Sequence, residues 1–340
     1  HKNVVYFIAI GCHDIQTENR GDLQMQQNLT KEQELIRSQL TVRAIVWHVR
    51  NLAEEDIAEL EVQMRLFDVR PVRVRTTGSC REAYEEILQE LERTGIFEWE
   101  AVLITDDDRM AEYVFKERRV LDAKKGMAVV FFEEDGGRTC SAADMAVLGF
   151  EETGVQFFDR ICKRKNRLPW NILYTERTCV REITMTDLDE LFELYQGEGI
   201  TDYTESLYDR AREEEYTRNY IDYMYYYYGY GMWIVRDREN GALIGRAGIG
   251  HRDVGDEVFM ELGYVIAKEY QNKGYATEVC RAVIRYAGEE LGVRQIHCFI
   301  HPDNRASVRL ARKLGFTEMP DTDVSFGELR HFRKNNIHIL

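Results

Sequence analysis

The chain has 340 residues, 44% of them hydrophobic and 31% charged, which is typical of a folded globular protein but too long for one ordinary hydrophobic core. Its 60 acidic and 45 basic residues give a net charge of −15 and disfavour nucleic acids and anionic membranes as partners, because both bind basic surfaces. No apolar run reaches the roughly 20 residues that span a bilayer, and the short apolar start lacks the features of a signal peptide. We therefore expect a cytoplasmic protein of two domains.

The first half of the chain alternates strand patterns with helix patterns. The predicted strands are Val4 to Ile10, Ala44 to Val49, Val72 to Arg75, Ala101 to Thr105, Met127 to Glu133 and Met145 to Gly149. The predicted helices are Thr30 to Leu40, Ala53 to Phe67, one beginning after Ser79, and Arg109 to Leu121. Such alternation predicts a parallel sheet covered on both faces, that is, a Rossmann-like α/β domain over residues 1–165.

Three consecutive acids, Asp106 to Asp108, follow one of these strands, at the end where ligands bind in parallel sheets. The order of strand, acidic pair, helix and strand resembles the closing motif of haloacid-dehalogenase-type phosphatases, which would bind Mg²⁺. The opening Asp-x-Asp motif of that family is not matched, because Cys12, His13 and Asp14 stand there. We interpret residues 1–165 as a degenerate, non-catalytic domain of this type without a metal site. The alternative is that the three acids only begin a helix.

The second half opens with the basic run Lys163 to Arg167, which we interpret as part of a solvated linker ending near Trp170. The strands predicted after it are Tyr174 to Ile183, Met232 to Arg236, Leu243 to Gly250, Val258 to Ile266 and Gln295 to Ile300. The helices are Asp187 to Leu194, Ser206 to Tyr228 and Thr277 to Leu291. On the second helix Tyr216, Tyr220, Tyr223 and Tyr227 share one face, which predicts packing in the core.

A loop from Lys268 to Ala276 joins a predicted strand directly to a predicted helix. Its small residues, Gly274 and Ala276, let free backbone N–H groups and the positive end of the helix dipole point at one place. The ligand that suits this arrangement is a phosphate or pyrophosphate. The loop has neither the Lys-Ser/Thr ending of a Walker loop nor the three glycines of a dinucleotide fingerprint.

Gln271, Gly274 and Ala276 resemble the acyl-CoA loop of the GNAT superfamily of N-acetyltransferases, whose pattern is Gln/Arg-x-x-Gly-x-Gly/Ala. Other pieces of that family lie in order around the loop: Glu261 to Ile266 before it, and Gln295 to Ile300, Asn304 to Ser307 and Lys313 to Phe316 after it. The resemblance covers about Ile172 to Lys334 and is greatest to the branch that acetylates ribosomal-protein N-termini. It implies a mixed α+β GNAT domain over residues 172–340.

The resemblance also implies the substrates, acetyl-CoA and a primary amine, which is either a protein N-terminus or a small molecule. The implied acetyl-CoA contacts are Val265, Ile266, Ala267, Gln271, Asn272, Lys273, Gly274, Tyr275, Ala276 and Asn304. The loop amides would hold the pyrophosphate, with Lys273 adding charge, and the strand would line the pantetheine arm. Because a strand has a period of two, we expect the backbone groups of Val265 and Ala267 to face that arm. Asn304 is also a candidate helix N-cap.

Glu261 is the residue that the resemblance implies as general base, because an ammonium group must lose a proton before it attacks a thioester. The alternative is an ordinary solvent-facing strand glutamate. Where the family often carries a tyrosine as general acid, this chain has Ala311, so Ser307 is the substitute that the ribosomal-protein branch implies; a small residue on a packed helix is the alternative. The tyrosines would then wall the acceptor pocket. A non-catalytic CoA-binding sensor or scaffold is the second function left open, and so is a homodimer.

Overall fold

The computed structural model describes residues 29–120, 125–133, 136–151, 153–319, 329–335 and 337. Contacts divide the chain into two compact units, His1–Leu168 and Pro169–Leu340. The domain bounds of 1–165 and 172–340 stay predictions, and the predicted strand Val4 to Ile10 lies outside the described residues. Among the helices of the described ranges, none is long and apolar enough to cross a bilayer.

The first unit is built on a parallel sheet with the strand order β2-β1-β3-β4-β5. Its strands are β1 (Ala44–His48), β2 (Arg70–Arg73), β3 (Ala101–Thr105), β4 (Ala128–Phe132) and β5 (Met145–Val147). Its helices are α1 (Lys31–Gln39), α2 (Glu54–Phe67), α3 (Cys80–Thr94), α4 (Asp108–Val120) and α5 (Val155–Lys165). Alternate residues of β1 enter two separate cores, Ile45 on the side of α2 and α5, and Val46 on the side of α3 and α4. The predicted parallel α/β fold is confirmed.

The predicted linker begins too early in the chain. Helix α5 continues to Lys165, and Lys163 is buried within it, with Nζ 2.7 Å from Oδ2 of Asp159 and 2.8 Å from the carbonyl oxygen of Gln39. Asp159 also accepts hydrogen bonds from the amides of Thr41 and Val42. The interpretation of this run as solvated is therefore wrong at Lys163, because an internal carboxylate compensates its charge and allows it to be buried, whereas Arg167 is exposed.

The second unit contains a mixed sheet with the order β12-β13-β11-β10-β9-β8-β7-β6, in which β10 and β11 run parallel and the other neighbouring pairs of described strands run antiparallel. Its strands are β6 (Asn171–Tyr174), β7 (Thr178–Arg181), β8 (Met232–Asp237), β9 (Leu243–Val254), β10 (Glu257–Ile266), β11 (Gln295–Ile300), β12 (Thr317–Glu318) and β13 (Arg330–Asn335). Its helices are α6 (Leu188–Gln196), α7 (Arg210–Tyr220), α8 (Tyr275–Glu289) and α9 (Arg305–Lys313). A single strand was predicted from Tyr174 to Ile183. In the structure β6 ends at Tyr174, and after a turn the chain returns as β7, which pairs antiparallel with β6.

Helix α7 continues as a π-helix from Ile221 to Tyr228, which changes the face that its tyrosines present. A π-helix has more residues per turn, so the buried residue after Tyr220 is Tyr225, which is only 1% exposed. Tyr223 is 58% exposed and Tyr227 41% exposed, so the prediction that they pack in the core is wrong. Tyr220 and Tyr225 have structural roles, because their hydroxyls bond the amide and the carbonyl of Met232 at the start of β8.

Candidate active site

Strands β10 and β11 separate at Glu261. They are paired there, opposite His297, and at no later position among the described residues, whereas β9 pairs with β10 continuously from Glu257 to Ile266. The edge of β10 from Leu262 to Ile266 that faces away from β9, here called the open edge, therefore carries unpaired backbone groups. An extended molecule is able to add to such an edge as another strand would.

The main-chain groups on the open edge belong to Tyr264 and Ile266, although the carbonyl of Ile266 already accepts a hydrogen bond from Gln271. The amide of Ala267 donates to the carbonyl of Ile244 at 2.9 Å, which directs it towards β9. Residues two apart in a strand point the same way, so Val265 also faces β9. The prediction that Val265 and Ala267 turn their backbone groups outwards is therefore wrong by one residue: the period of two was right, but the phase depends on the pairing with β9.

The loop before α8 has the shape of an anion site. Asn272 and Gly274 both adopt left-handed backbone conformations, with φ of 58° and 88°. Gly274 is the N-cap residue of α8 and makes no side-chain cap hydrogen bond. The amides of Tyr275 and Ala276 lie in the first helical turn, where backbone N–H groups have no partner within the helix. The side chain of Gln271 ties the loop to β10, because Nε2 donates to the carbonyl of Ile266 at 2.9 Å.

Arg177 holds this loop in place, and sequence reasoning missed it. Its Nε lies 2.8 Å from Oε2 of Glu278 on α8, and one terminal nitrogen donates to the carbonyl of Lys273 at 3.1 Å. Its guanidinium also stacks on the ring of Tyr275, 4.0 Å from the centroid. Arg177 lies about a hundred residues before these partners, and no local pattern marks the contact.

Glu261 combines burial with a charged partner. Its side chain is 22% exposed, and Nη1 of Arg252 lies 3.2 and 3.1 Å from its two oxygens. Burial raises the pKa of Glu261 above its ordinary value, and Arg252 and a hydrogen bond from the Phe299 backbone offset this only in part. Directly opposite Glu261 on β9 is Gly250, where an added Cβ would meet nothing within 4 Å. A carboxylate of increased basicity therefore faces free space at the point where β10 and β11 separate.

The start of α9 lies close to the open edge. Asn304 is the N-cap of α9, since its Oδ1 accepts a hydrogen bond from the amide of Ser307 at 3.1 Å. The hydroxyl of Tyr264 is buried, and the neighbour it has for hydrogen bonding is the side chain of Ser307. Burial raises the pKa of the Tyr264 phenol, and the adjacent Ser307 opposes this increase. Ser307 and Tyr264 therefore bring two hydroxyl groups together beside the gap between β10 and β11.

Arginines contact two of the three acids of the first unit, and the third begins a helix. Asp106 accepts hydrogen bonds from Nε and the amide of Arg50 at 3.1 and 3.3 Å. Asp107 accepts from the amide and side chain of Arg109, and the side-chain bond lowers the pKa of Asp107. Asp108 begins α4. Within the described part of the chain, no group of three or more His, Cys, Asp or Glu side chains is arranged to hold a metal ion.

Comparison with known proteins places similarity in the second half of the chain. A family model described as an acetyltransferase (GNAT) domain matches residues 177–317. The uncharacterized protein YkkB of Bacillus subtilis is 31% identical over 144 residues, covering 42% of this chain and 83% of its own. The uncharacterized N-acetyltransferase YoaA of the same organism is 30% identical over 146 residues, covering 43% and 82%. A solved acetyltransferase from Agrobacterium tumefaciens is 25% identical, with a TM-score of 0.42 over 48% of this chain and 93% of its own. The haloacid-dehalogenase-like interpretation of residues 1–165 stays a prediction.

Proposed function

Because this chain belongs to the GNAT acetyltransferase family, we propose that it moves the acetyl group of acetyl-CoA to a primary amine, with Glu261 accepting the proton of the amine. The observation that carries the proposal is the position of Glu261. A carboxylate of raised pKa lies at the point where β10 and β11 separate, opposite the free space at Gly250. Acceptor and donor would meet at this point.

The chain offers a suitable place for each part of the donor. The uncapped start of α8, with the amides of Asn272 to Ala276, suits the pyrophosphate, and the ammonium group of Lys273 adds positive charge. The open edge suits the amide-containing pantetheine arm, with Tyr264 and Ile266 supplying the backbone contacts in the segment that includes Val265 and Ala267. Gln271 and Asn304 act in this proposal by fixing the loop and the start of α9.

The chemistry asks little more of the protein than alignment and removal of one proton. A lysine-like ammonium group has a pKa near 10.4, so most of it is protonated at neutral pH and unable to attack. Glu261 takes that proton directly or through a water molecule, and its raised pKa makes it a stronger base than an exposed glutamate. Acetyl-CoA supplies the acetyl group as a thioester. Ser307 is the proposed proton donor to the departing thiolate, with the Tyr264 hydroxyl beside it.

The acceptor class that we propose is a primary amine, either a protein N-terminus or a small molecule. The resemblance to the branch that acts on ribosomal-protein N-termini supports the first, and the free space beside Glu261 is compatible with both. The rival function is a sensor or scaffold that binds CoA without turnover. Its support is Ala311, which stands where the family often carries the tyrosine acid.

The test of this function is Glu261→Gln, which keeps the size and polarity of the side chain but is unable to take up a proton. At pH 7 we expect the rate of thiol release from acetyl-CoA with an amine acceptor to fall by at least about 10²-fold. The loss should shrink at high pH, where more of the amine is already deprotonated. Affinity for CoA, measured by calorimetry, should hardly change.

The matched control is Glu257→Gln, which alters an exposed glutamate on the same strand and should leave the rate unchanged. Near wild-type turnover of Glu261→Gln at pH 7 would assign the base to another residue. Binding of CoA by the unmodified chain, with no release of thiol across a broad panel of amines, would favour the sensor.

A further inference from the structure

Arg246 is a partly buried cation with no counter-ion in the described part of the chain. It lies on β9, opposite Val265 of β10 and Ile234 of β8. Its Nε is closed off from solvent and has no hydrogen-bond partner, while the guanidinium hydrogen-bonds Tyr195 but forms no ion pair within the described residues. Three arginines of the neighbouring strands β7 to β9 differ in this respect. Arg181 and Arg236 pair with Asp187, and Arg252 pairs with Glu261.

The groups around Arg246 do not compensate its charge. Its neighbours are tyrosines: Tyr195 of α6, Tyr216 and Tyr220 of α7, and Tyr225 of the π-helix. The hydroxyls of Tyr220 and Tyr225 are already bonded to the backbone of Met232. Two acids lie near these tyrosines, Glu213 near Tyr216 and Glu182 near Tyr225, but neither forms an ion pair with Arg246 within the described residues. A partly buried cation that lacks a carboxylate partner is costly, so its position favours an anion from outside the chain as the partner.

Arg246 lies on the same side of the sheet as the proposed base. Residues directly opposite each other in an antiparallel pair share a face, and so do residues two or four apart on one strand. Arg246 is opposite Val265, and Gly250 is opposite Glu261, so all four belong to the face on which the proposed acceptor space lies. Four residues along a strand are roughly 13 Å, a separation that the length of the arginine side chain reduces.

We propose that Arg246 binds an anionic group of the acceptor, so that the acceptor is a small amine that also carries a carboxylate or a phosphate. The guanidinium plane is able to donate two parallel hydrogen bonds to either group. It would instead repel the ammonium groups of a polyamine. The inference rests on the proposed function, because it assigns the substrate class of the same site. It predicts that polyamines such as spermidine are poor acceptors.

The test compares acceptors in matched pairs. Amino acids of increasing chain length are set against the amines that lack the carboxylate, and phosphoethanolamine is set against ethanolamine, with spermidine as the cationic member. For the unmodified chain we expect kcat/KM to be at least about tenfold higher for the anionic member of a pair. Arg246→Met should reduce kcat/KM for that member by about 10²-fold and leave the other almost unchanged. The preferred pair distinguishes carboxylate from phosphate.

The control is Arg285→Met, an exposed arginine of α8 whose partner is Glu289, and this change should affect neither member. Three outcomes would overturn the inference. One is equal use of both members by the unmodified chain. Another is an equal loss for both in Arg246→Met, which would make the residue structural. The third is a fall in CoA affinity confined to Arg246→Met, which would assign the missing anion to CoA.

A binding measurement separates this inference from the proposed function. N-acetylated amino acids and their amides are titrated calorimetrically into the full chain in the presence of CoA, which needs no turnover. Tighter binding of the carboxylate than of the amide, lost in Arg246→Met, would support the anion site even if no amine were acetylated. Equal binding of the two, or no binding of the carboxylate, would overturn it.

Discussion

At the scale of single residues, Asp187 is a buried charge that the second unit stabilises with hydrogen bonds. Its side chain is 2% exposed, and its oxygens accept from Arg181 at 2.5 and 2.8 Å and from Arg236 at 2.7 Å. Burial alone would raise the pKa of Asp187, but these hydrogen bonds and the amide of Thr184 lower it to about 2, from an ordinary value of 3.8. The ionised form is therefore the one that the folded state prefers.

The expected consequence is an acid-sensitive contribution to stability. Between about pH 4 and pH 2 the unfolded chain binds the proton and the folded chain does not, so the free energy of unfolding should fall by about 2 kcal/mol as the pH decreases through this range. Asp187→Asn should remove that contribution and lose about 3 kcal/mol at pH 7, because it leaves Arg181 and Arg236 without this partner. Denaturant unfolding at pH 7 and pH 3 measures both. Asp189→Asn, at an 80% exposed position, is the control and should change little. An equal effect of the two substitutions would contradict the assignment.

At the scale of elements, the start of α8 combines a glycine in a left-handed conformation with helix amides that have no partner within the helix. Gly274 has a φ of 88°, a conformation that other residues adopt at some cost. An added Cβ would lie 3.5 Å from the guanidinium of Arg177, which is an ordinary contact, so the fold has room for a side chain. A carboxylate at this position would place negative charge where the amides of Tyr275 and Ala276 are expected to meet phosphate.

We therefore expect Gly274→Glu to lose most of the affinity for CoA, while the chain still folds. Gly274→Ala introduces the backbone strain of about 1 kcal/mol without the charge, and it should retain most of the binding. Calorimetry with CoA measures the affinities, and circular dichroism tests the fold. If the glutamate variant bound CoA as the unmodified chain does, the loop would no longer be a candidate for the cofactor.

The elements that sequence predicted are those whose signals are local. Helices α1 and α3 begin directly after Thr30 and Ser79, where helix starts were predicted, and each start is a capping box; the bounds of β3 were predicted without error. The errors arose where distant partners decide the outcome. Lys163 was predicted to be solvated because the sequence does not show that its partner Asp159 is buried. The π-helix was not predicted because its hydrogen bond from Tyr225 to β8 joins residues in different elements.

The residues of the candidate site also divide into those predicted from a local pattern and those that depend on distant contacts. The loop from Gln271 to Ala276 was predicted from a continuous run of residues, and the backbone shape of Gly274 agrees with it. The arginines that support or complete the site, Arg177, Arg246 and Arg252, were not found, because their importance depends on contacts across the sheet or on the lack of one. A sequence pattern gives the period of a strand, but the outward phase at Val265 required the pairing with β9.

At the scale of the whole molecule, the chemistry that we propose belongs entirely to the second unit. The family model begins at residue 177, after the point at which contacts divide the chain. In the first unit, His48 and Thr105 lie at the carboxyl ends of neighbouring strands of the parallel sheet, and Nδ1 of His48 is 2.9 Å from the hydroxyl of Thr105. Ligands of parallel sheets bind at this edge, where Asp106 to Asp108 also lie, so a bound phosphate ester would meet these three acids.

We expect that they do not catalyse phosphate hydrolysis. Asp106 is held by Arg50 and Asp107 by Arg109, and a phosphatase of the haloacid-dehalogenase type would also need an aspartate nucleophile, which the sequence lacks after its first apolar run. The full chain should therefore show no Mg²⁺-dependent hydrolysis of a generic phosphomonoester, and Asp106→Asn should leave acetyl transfer unchanged. One oxygen of Asp106 is buried without a partner, which makes this residue, and not the more exposed Asp108, the sensitive position to alter. Asp108→Asn is the matched control. Hydrolysis that depends on Mg²⁺ and disappears in Asp106→Asn, but not in Asp108→Asn, would identify the first unit as a working phosphatase.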